Sequence, residues 1–457
     1  MVEAFLVLIV LTAVAYLIIK NYHPALSLIV GALVLLLFAV LLGYPIYPDG
    51  EGTGLRFFDI FLKFKDTIIS QVSSAGIVIM ILFGYSGYMN VIGANKVAVN
   101  ILVRPLLKIK NKLLFVPLVF LIGNLMSLVI PSASSLAIIL MAILYPMLAS
   151  AGVSSLSAAG VIAMTATIMP TPLGADNVIA AETLGYDLLN YVMWNAKVSI
   201  PVLLIIAVTQ FFWQQYCDKK EGAAAFVDVE EIETAEEEEQ HAPSFYAILP
   251  LLPLILILVV GILGFIYENI QMDIFVLTFI SFFIAVIIEA FRHKSYKKIQ
   301  DSASEMFKGM GQGFSQVVML VVGGSLFTTA IQTMGIIDTI MESVQSSSSA
   351  GIVTSLIFSG ATTLFGILSG GGLAMFYAVV ELIPNIAEKA GIDGILIALP
   401  MQMIANLART ISPVAAVVMI VASSIKVSPI RILKRTSVPT IVGILAVIIL
   451  SIVLLPY

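Results

Sequence analysis

Cysteine, histidine and charge are all scarce in this chain of 457 residues, and each scarcity removes a class of function. The single cysteine, Cys217, excludes an intrachain disulfide and any cysteine-rich metal site. The three histidines, His23, His241 and His293, fall in predicted loops, so none is left to bind zinc within the apolar stretches. With no HExxH pattern either, the chemistry of an intramembrane metalloprotease has no residues to work with, and no enzyme is expected. Charged residues make up 11% of the chain against 60% hydrophobic ones. Uncharged runs of bilayer-spanning length recur from end to end, and the alternating pattern of barrel strands is missing. The composition therefore specifies an all-α polytopic membrane protein in contact with lipid. Its formal charge of −5 says little about partners, because much of the acid lies in one loop, and no nucleic acid is expected. The run from Ala4 to Ile19 lacks a basic leader and a small-residue cleavage site, so it is expected to remain as a helix of the mature chain.

In order, spans are expected near 3–20 and 24–42, then a polar connection with Pro45, Pro48, Asp49 and Gly52. From Phe57 to Gln71, Phe57, Phe58, Phe61, Phe64 and Ile68 share roughly one face, which predicts an interfacial helix. A span near 74–93 leads into a basic segment with Lys96, Arg104, Lys108, Lys110 and Lys112. The apolar stretch 113–150 is interrupted at Pro131-Ser132-Ala133-Ser134-Ser135, which predicts two short helices with a hydroxyl-rich tip between them. Next come a broken segment near 156–185 and a span near 190–213. Residues 218–244, with Glu230, Glu231, Glu233 and Glu236 to Glu239, read as a solvated linker. The same order then returns: spans near 245–267 and 272–291, a basic loop with Arg292, Lys294, Lys297 and Lys298, an amphipathic piece at 300–309, and a span near 312–334. A second interrupted stretch, 350–389, has the tip Ser369-Gly370-Gly371-Gly372; a broken segment near 402–416 and a last span near 437–455 complete the chain.

Setting Tyr145-Pro146 beside Ile383-Pro384 aligns the two tips, and a further small gap brings Thr171-Pro172 against Ser412-Pro413. This is an internal repeat of about 240 residues. Sorting the 23 Lys and Arg by alternate crossings collects most of them on one side. By the positive-inside rule that side is cytoplasmic. Both termini then lie outside, the linker lies inside, and the two hairpins enter from opposite faces. The expectation is two inverted repeats, each with transmembrane helices, a re-entrant hairpin and a broken helix, the construction that secondary transporters place around a substrate. The first repeat is 1–217, with a scaffold over 1–112 and a hairpin and broken helix over 113–189. The acidic cytoplasmic linker is 218–244. The second repeat is 245–457, with a scaffold over 245–349 and a hairpin and broken helix over 350–424.

Two broken segments carry the chemistry. In the second, Asn406, Arg409, Thr410 and Ser412 precede Pro413 inside an otherwise apolar run, where an ionisable group is costly to keep. The Arg409 guanidinium matches a carboxylate, as a substrate ligand or as one half of an internal pair. In the first, Thr171, Pro172 and Gly174 precede Asp176 and Asn177. Unwound carbonyls there suit a cation, Na+ or H+, with Asp176 supplying charge; capping of the next half-helix or pairing with Arg409 are the other roles open to it. The tips, Ser132, Ser134 and Ser135 in one hairpin and Gly370, Gly371 and Gly372 in the other, suit donation to an oxyanion or close helix packing. No further cofactor or metal is implied. A channel is the other membrane function to weigh, but two opposed hairpins suit alternating access better than a continuous pore.

At these residues the chain resembles a known family. Asn406-Leu407, Arg409-Thr410, Ser412-Pro413-Val414, Phe376-Tyr377-Ala378, Glu381-Leu382-Ile383-Pro384, Ile92-Gly93-Ala94-Asn95 and Lys434-Arg435-Thr436-Ser437-Val438-Pro439 are similar to the anaerobic C4-dicarboxylate transporters of the DcuC type, within the ion-transporter superfamily. The similarity extends over essentially the whole chain. It implies exchange or cation-coupled symport of succinate, fumarate or malate across a bacterial inner membrane. It also implies a homodimer and an elevator motion of the hairpin-bearing part against a scaffold. The tips depart from the family pattern, with Leu373 and Ala374 after Gly372 where an asparagine is expected, and with Pro131 at the start of the first tip. Another organic anion or an amino acid is the alternative substrate these departures allow.

Overall fold

A computed structural model describes residues 2–20, 22–48, 50–104, 106, 114–128, 130, 132–168, 170–227, 242–266, 273–334 and 350–456. Pro131, Met169, His241, the basic residues Lys108, Lys110 and Lys112, and the glutamates from Glu230 to Glu239 lie outside these residues. Within them, nine helices are long and apolar enough to cross a membrane.

Two apolar helices begin the first half, α1 (Val2–Ile19) and α2 (Pro24–Leu41). His23 caps α2, its ring accepting from the Leu26 N–H, and Pro24 occupies the first turn, where its missing N–H costs nothing. The amphipathic α3 (Arg56–Gln71) passes through a π-helical turn, Val72–Gly76, into α4 (Ile77–Val91). After α5 (Ala94–Val103), the hairpin is α6 (Phe115–Met126) and α7 (Ala133–Ser150), followed by the half-helices α8 (Ser155–Ala163) and α9 (Ala175–Leu184). The long α10 (Leu188–Glu221) closes this half.

The second half opens with a 3-10 segment, Ser244–Leu251, then α11 (Leu252–Ile266) and α12 (Ile274–His293). His293 ends α12, 3.3 Å from Glu289, and so belongs to a helix, not to a loop. The amphipathic α13 (Tyr296–Gly313) again passes through a π turn, Phe314–Val318, into α14 (Met319–Thr333). The second hairpin is α15 (Ala350–Ser369) and α16 (Gly372–Val379), the latter bent at Val380–Leu382 into α17 (Ile383–Ala390). The broken helix is α18 (Ile395–Ala408) and α19 (Ala416–Ser424), and α20 (Pro429–Leu454) ends the fold.

Two expectations are corrected here. The amphipathic runs are not separate elements, because each runs on into its span, the first across a kink at Ser74 (φ −92°, ψ −113°) and the second as one helix of 38 residues. An extra residue in a π turn rotates the rest of the helix by about 100°, so at Phe314–Val318 the hydrophobic period breaks where the backbone does not. The ends of α10 and α20 also extend well past the apolar runs that announced them. Arg435 is fully buried and donates to Asp218 at 2.5 Å and Glu221 at 2.9 Å, so charges that resemble a loop bind two helices together.

The paired long helices meet at glycines. A Cβ at Gly84 would stand 2.6 Å from the Met306 carbonyl, and one at Gly309 would stand 2.6 Å from that of Phe83. Only glycine permits α4 and α13 to cross so closely, which is how small residues act between membrane helices. On the far side, α14 packs between α2 and α16.

Candidate functional site

Both half-helix pairs break at proline. Pro170 and Pro172 lie between α8 and α9, while Pro413 lies beyond the single 3-10 turn Arg409–Ile411 that ends α18. Each break strands backbone groups that must find partners away from water. Asn124 of α6 serves the first, its Oδ1 accepting from Thr167 N–H at 3.0 Å and Thr167 Oγ1 at 2.9 Å. Asn177 serves it again, donating to the Thr171 carbonyl at 3.0 Å. Its own Oδ1 accepts from Asn195 and from Gln402, both at 2.8 Å, and Gln402 accepts from the Tyr191 hydroxyl at 2.7 Å. A buried polar chain thus ties the first break to the second.

Between the breaks is a cavity of about 260 Å³. Thr171, Gly174, Asp176, Asn406 and Arg409 all line it, as do Ser127, Thr167 and Tyr377. Phe83 of α4, Gln316 of the second π turn and Leu320 of α14 form its opposite wall. Arg409 donates through Nη2 to the carbonyl of Ala166, a residue with φ of 57°, in the left-handed region that alanine avoids. Its Nε is buried and has no hydrogen-bond partner among the described residues. Asp176 lies in the first turn of α9, where the helix dipole favours a negative charge. Its Oδ1 accepts from the Asn177 N–H at 3.1 Å and its Oδ2 accepts from Asn406 at 2.9 Å. Acid and arginine therefore line the same cavity without a direct ion pair among the described residues, Asp176 held by Asn406 and Arg409 by the Ala166 carbonyl.

The other candidates lie elsewhere. Ser132 caps α7, accepting from the Ser135 N–H at 3.3 Å, and Ser134 follows it in the first turn. Ser135 lines a separate cavity with Asn90, Gly93 and Lys96. Gly370 has φ of 71°, and a Cβ there would stand 2.8 Å from the Ala415 nitrogen. A Cβ on Gly372 would stand 2.5 Å from the Ala405 carbonyl, whereas Gly371 faces open space. The second tip is thereby pressed against the broken helix. Thr410 bonds Leu407 O at 2.8 Å and Thr440 at 2.6 Å, fixing the break to α20, and Ser412 is buried with its hydroxyl unpartnered among the described residues. Asn177 stands behind the cavity, in the polar chain.

Sequence reasoning missed Ser127, Thr167, Gln316 and the supporting Asn124. A lone amide within an apolar span was the available signal for Asn124, since such a group is costly unless it has buried work to do, whereas Gln316 follows Gln312 and Ser315 at the polar start of its span and gave none.

A model of the C4-dicarboxylate anaerobic carrier family, DcuC, matches residues 2–456. The anaerobic C4-dicarboxylate transporter DcuC of Escherichia coli (strain K12) is 35% identical over 459 aligned positions, covering 100% of this chain and 97% of that one. The Shigella flexneri protein of the same name matches with the same identity and coverage. Among solved structures, MtrF of Neisseria gonorrhoeae shares the fold, with a TM-score of 0.62, 12% identity and 94% of each chain covered. A full-length family match, relatives above 30% identity along the whole chain and a fold that places Arg409 and Asp176 around one cavity agree: this multi-pass membrane chain belongs to the DcuC family of carriers and is a transporter, not an enzyme.

Proposed function

We propose that the chain carries C4-dicarboxylates such as succinate, fumarate or malate across a bacterial inner membrane, by exchange or cation-coupled symport. The supporting observation is Arg409, a half-buried cation with one nitrogen spent on a backbone carbonyl and another, buried one left for a ligand. A carboxylate completes such a guanidinium by a charge-assisted bond. Asn406, Thr167 and Ser127 line the cavity around it, their own hydrogens given to Asp176, to Asn124 Oδ1 and to the Asn124 carbonyl, and the cavity of about 260 Å³ falls just below the range of small-molecule sites, which begins at about 300 Å³. Asp176, with Thr171, Gly174 and Asn177, serves the coupling Na+ or H+.

The matched order of helices supports two inverted repeats, with both termini outside by the distribution of Lys and Arg, and the family resemblance implies a dimeric assembly. The scaffold comprises 1–112 and 245–349, and the moving part comprises the hairpins and broken helices of 113–189 and 350–424. Phe83, Gln316 and Leu320 belong to the first, whereas Asp176, Asn406 and Arg409 belong to the second, so the cavity straddles the division. Sliding the second set past the first is an elevator motion that would carry the ligand with Arg409.

The test is uptake of labelled succinate into proteoliposomes, with and without internal fumarate. Stimulation by internal fumarate is expected. Failure to take up any C4-dicarboxylate, with or without an internal partner and an imposed Na+ or pH gradient, overturns the substrate and leaves another organic anion or an amino acid as the cargo.

A further inference from the structure

A carboxylate outside the cavity has no use in cargo binding. Glu381 sits in the turn Val380–Leu382 that bends α16 into α17, half-buried and packed against α14 and α9. Its Oε1 accepts one hydrogen bond, at 3.2 Å, from the side-chain amide of Gln71, the last residue of α3 before the π turn. The same amide lies 3.2 Å from the Ser325 hydroxyl of α14. No lysine or arginine pairs with Glu381 among the described residues. The charged group that bears on it is another acid, Glu182, exposed on α9. The remaining charges on the surrounding elements are engaged or distant. Asp176 is at the other end of α9 in the cavity, and Asp66 of α3 is held by Tyr47 at 2.6 Å and Lys65 at 3.1 Å. Glu388 and Lys389 are in the last two turns of α17, α14 carries no charge, and the titratable Tyr377 of α16 faces the cavity.

A lone carboxylate beside a second acid is an expensive arrangement in an apolar protein unless it binds a proton. Glu381 also lies on the dividing surface: Gln71 and Ser325 are scaffold, and Glu381 belongs to the hairpin. We propose that Glu381 is a proton-binding site whose occupancy licenses the movement of the hairpin-bearing part across the scaffold. This rests on the two-part carrier reading. Ionised, the carboxylate is held at the contact by the Gln71 amide, and dragging a charge over the apolar face of α14 is costly. Taking one proton from hydronium, with Glu182 as the exposed group leading to it, converts the carboxylate to a neutral acid and leaves water behind. The neutral acid crosses, and the proton returns to water on the opposite side, one per passage. Asp176 lines the cavity from the other end of α9, so a cation held there and the proton on Glu381 occupy separate places.

The experiment compares wild type, E381Q and E381D in proteoliposomes, measuring succinate–fumarate exchange at equal pH and succinate uptake under an imposed pH gradient. A parallel infrared titration of the purified protein in lipid follows the C=O band of protonated carboxyl groups. A one-unit gradient is expected to raise wild-type uptake up to about tenfold. E381Q should keep exchange within about twofold, the scale of a substitution that disturbs no packing, and should lose the response to the gradient. E381D should retain the response. Undiminished gradient stimulation in E381Q overturns the proposal, as does wild-type exchange that ignores pH, or loss of exchange in E381Q and E381D alike. If wild type moves no dicarboxylate, the functional reading has failed and the infrared measurement decides this one. A titrating band present in wild type and missing in E381Q supports it, and the same band in both overturns it.

Discussion

The two breaks in the membrane helices are built from similar parts and end in opposite electrical states. At the first, Asp176 has both oxygens engaged, by the Asn177 N–H and by Asn406, and Asn124 and Asn177 satisfy the surrounding backbone. At the second, Arg409 is half-satisfied, with Nε left over, and Ser412 is likewise unpartnered among the described residues. A guanidinium with one nitrogen unpartnered gains strongly from an anion, whereas a carboxylate that already accepts one hydrogen bond on each oxygen has only its remaining lone pairs for a cation. The second break is therefore where the binding energy for an anion is to be found.

That asymmetry is tested most sharply by Arg409→Ala, which should reduce transport on the order of 100-fold or more with the protein folded, the scale of truncating one partner of a buried charge pair. Initial uptake rates, with size-exclusion chromatography as the folding check, decide it, and wild-type flux would remove Arg409 from the site. The second tip should respond next. Gly372→Val drives a side chain into the Ala405 carbonyl and should cost about 1–3 kcal/mol, read as a lowered Tm in detergent. An unchanged Tm would show that the tip does not rest on the broken helix. Asp176→Asn should lower uptake roughly tenfold, the effect of losing about 1.4 kcal/mol, and change its cation or pH dependence. An unaltered dependence would return Asp176 to a purely hydrogen-bonding role at the start of α9. The smallest effect belongs to Ser132→Ala, which removes the cap of α7 for about 1 kcal/mol. Its KM should be unchanged, because the serine lies outside the cavity; a raised KM would bring the first tip into the binding site.

The sequence by itself located the breaks, because proline beside Arg409 or Asp176 in an apolar run has few explanations. It could not separate a ligand-holding tip from a packing tip. Serine and glycine are small in both cases, and only the approach of Ala405 and Ala415 distinguishes them. Arg435 misled for a related reason: near the end of an apolar run a charge reads as solvated, and its partners Asp218 and Glu221 lie more than two hundred residues away in sequence. The partners of Asn124, a helix end forty residues onward, were equally invisible. Local composition reports that a polar group is expensive, and the fold decides what it is for.

The π turns at Val72–Gly76 and Phe314–Val318 make the geometry of the cavity wall depend on residue count as well as residue type. The first also bends the chain at Ser74, with φ of −92° and ψ of −113°, so a kink there sets how Phe83 is presented. The second holds one residue more than an α-helical turn needs, and that surplus sets the angle at which Leu320 is presented relative to the amphipathic stretch behind it. Removing a single residue such as Ser315 would let this helix close into regular register and swing everything beyond it through about 100°. Leu320 would then turn away from Arg409 although no residue touching the ligand had been exchanged, so along this helix a deletion is a rotation.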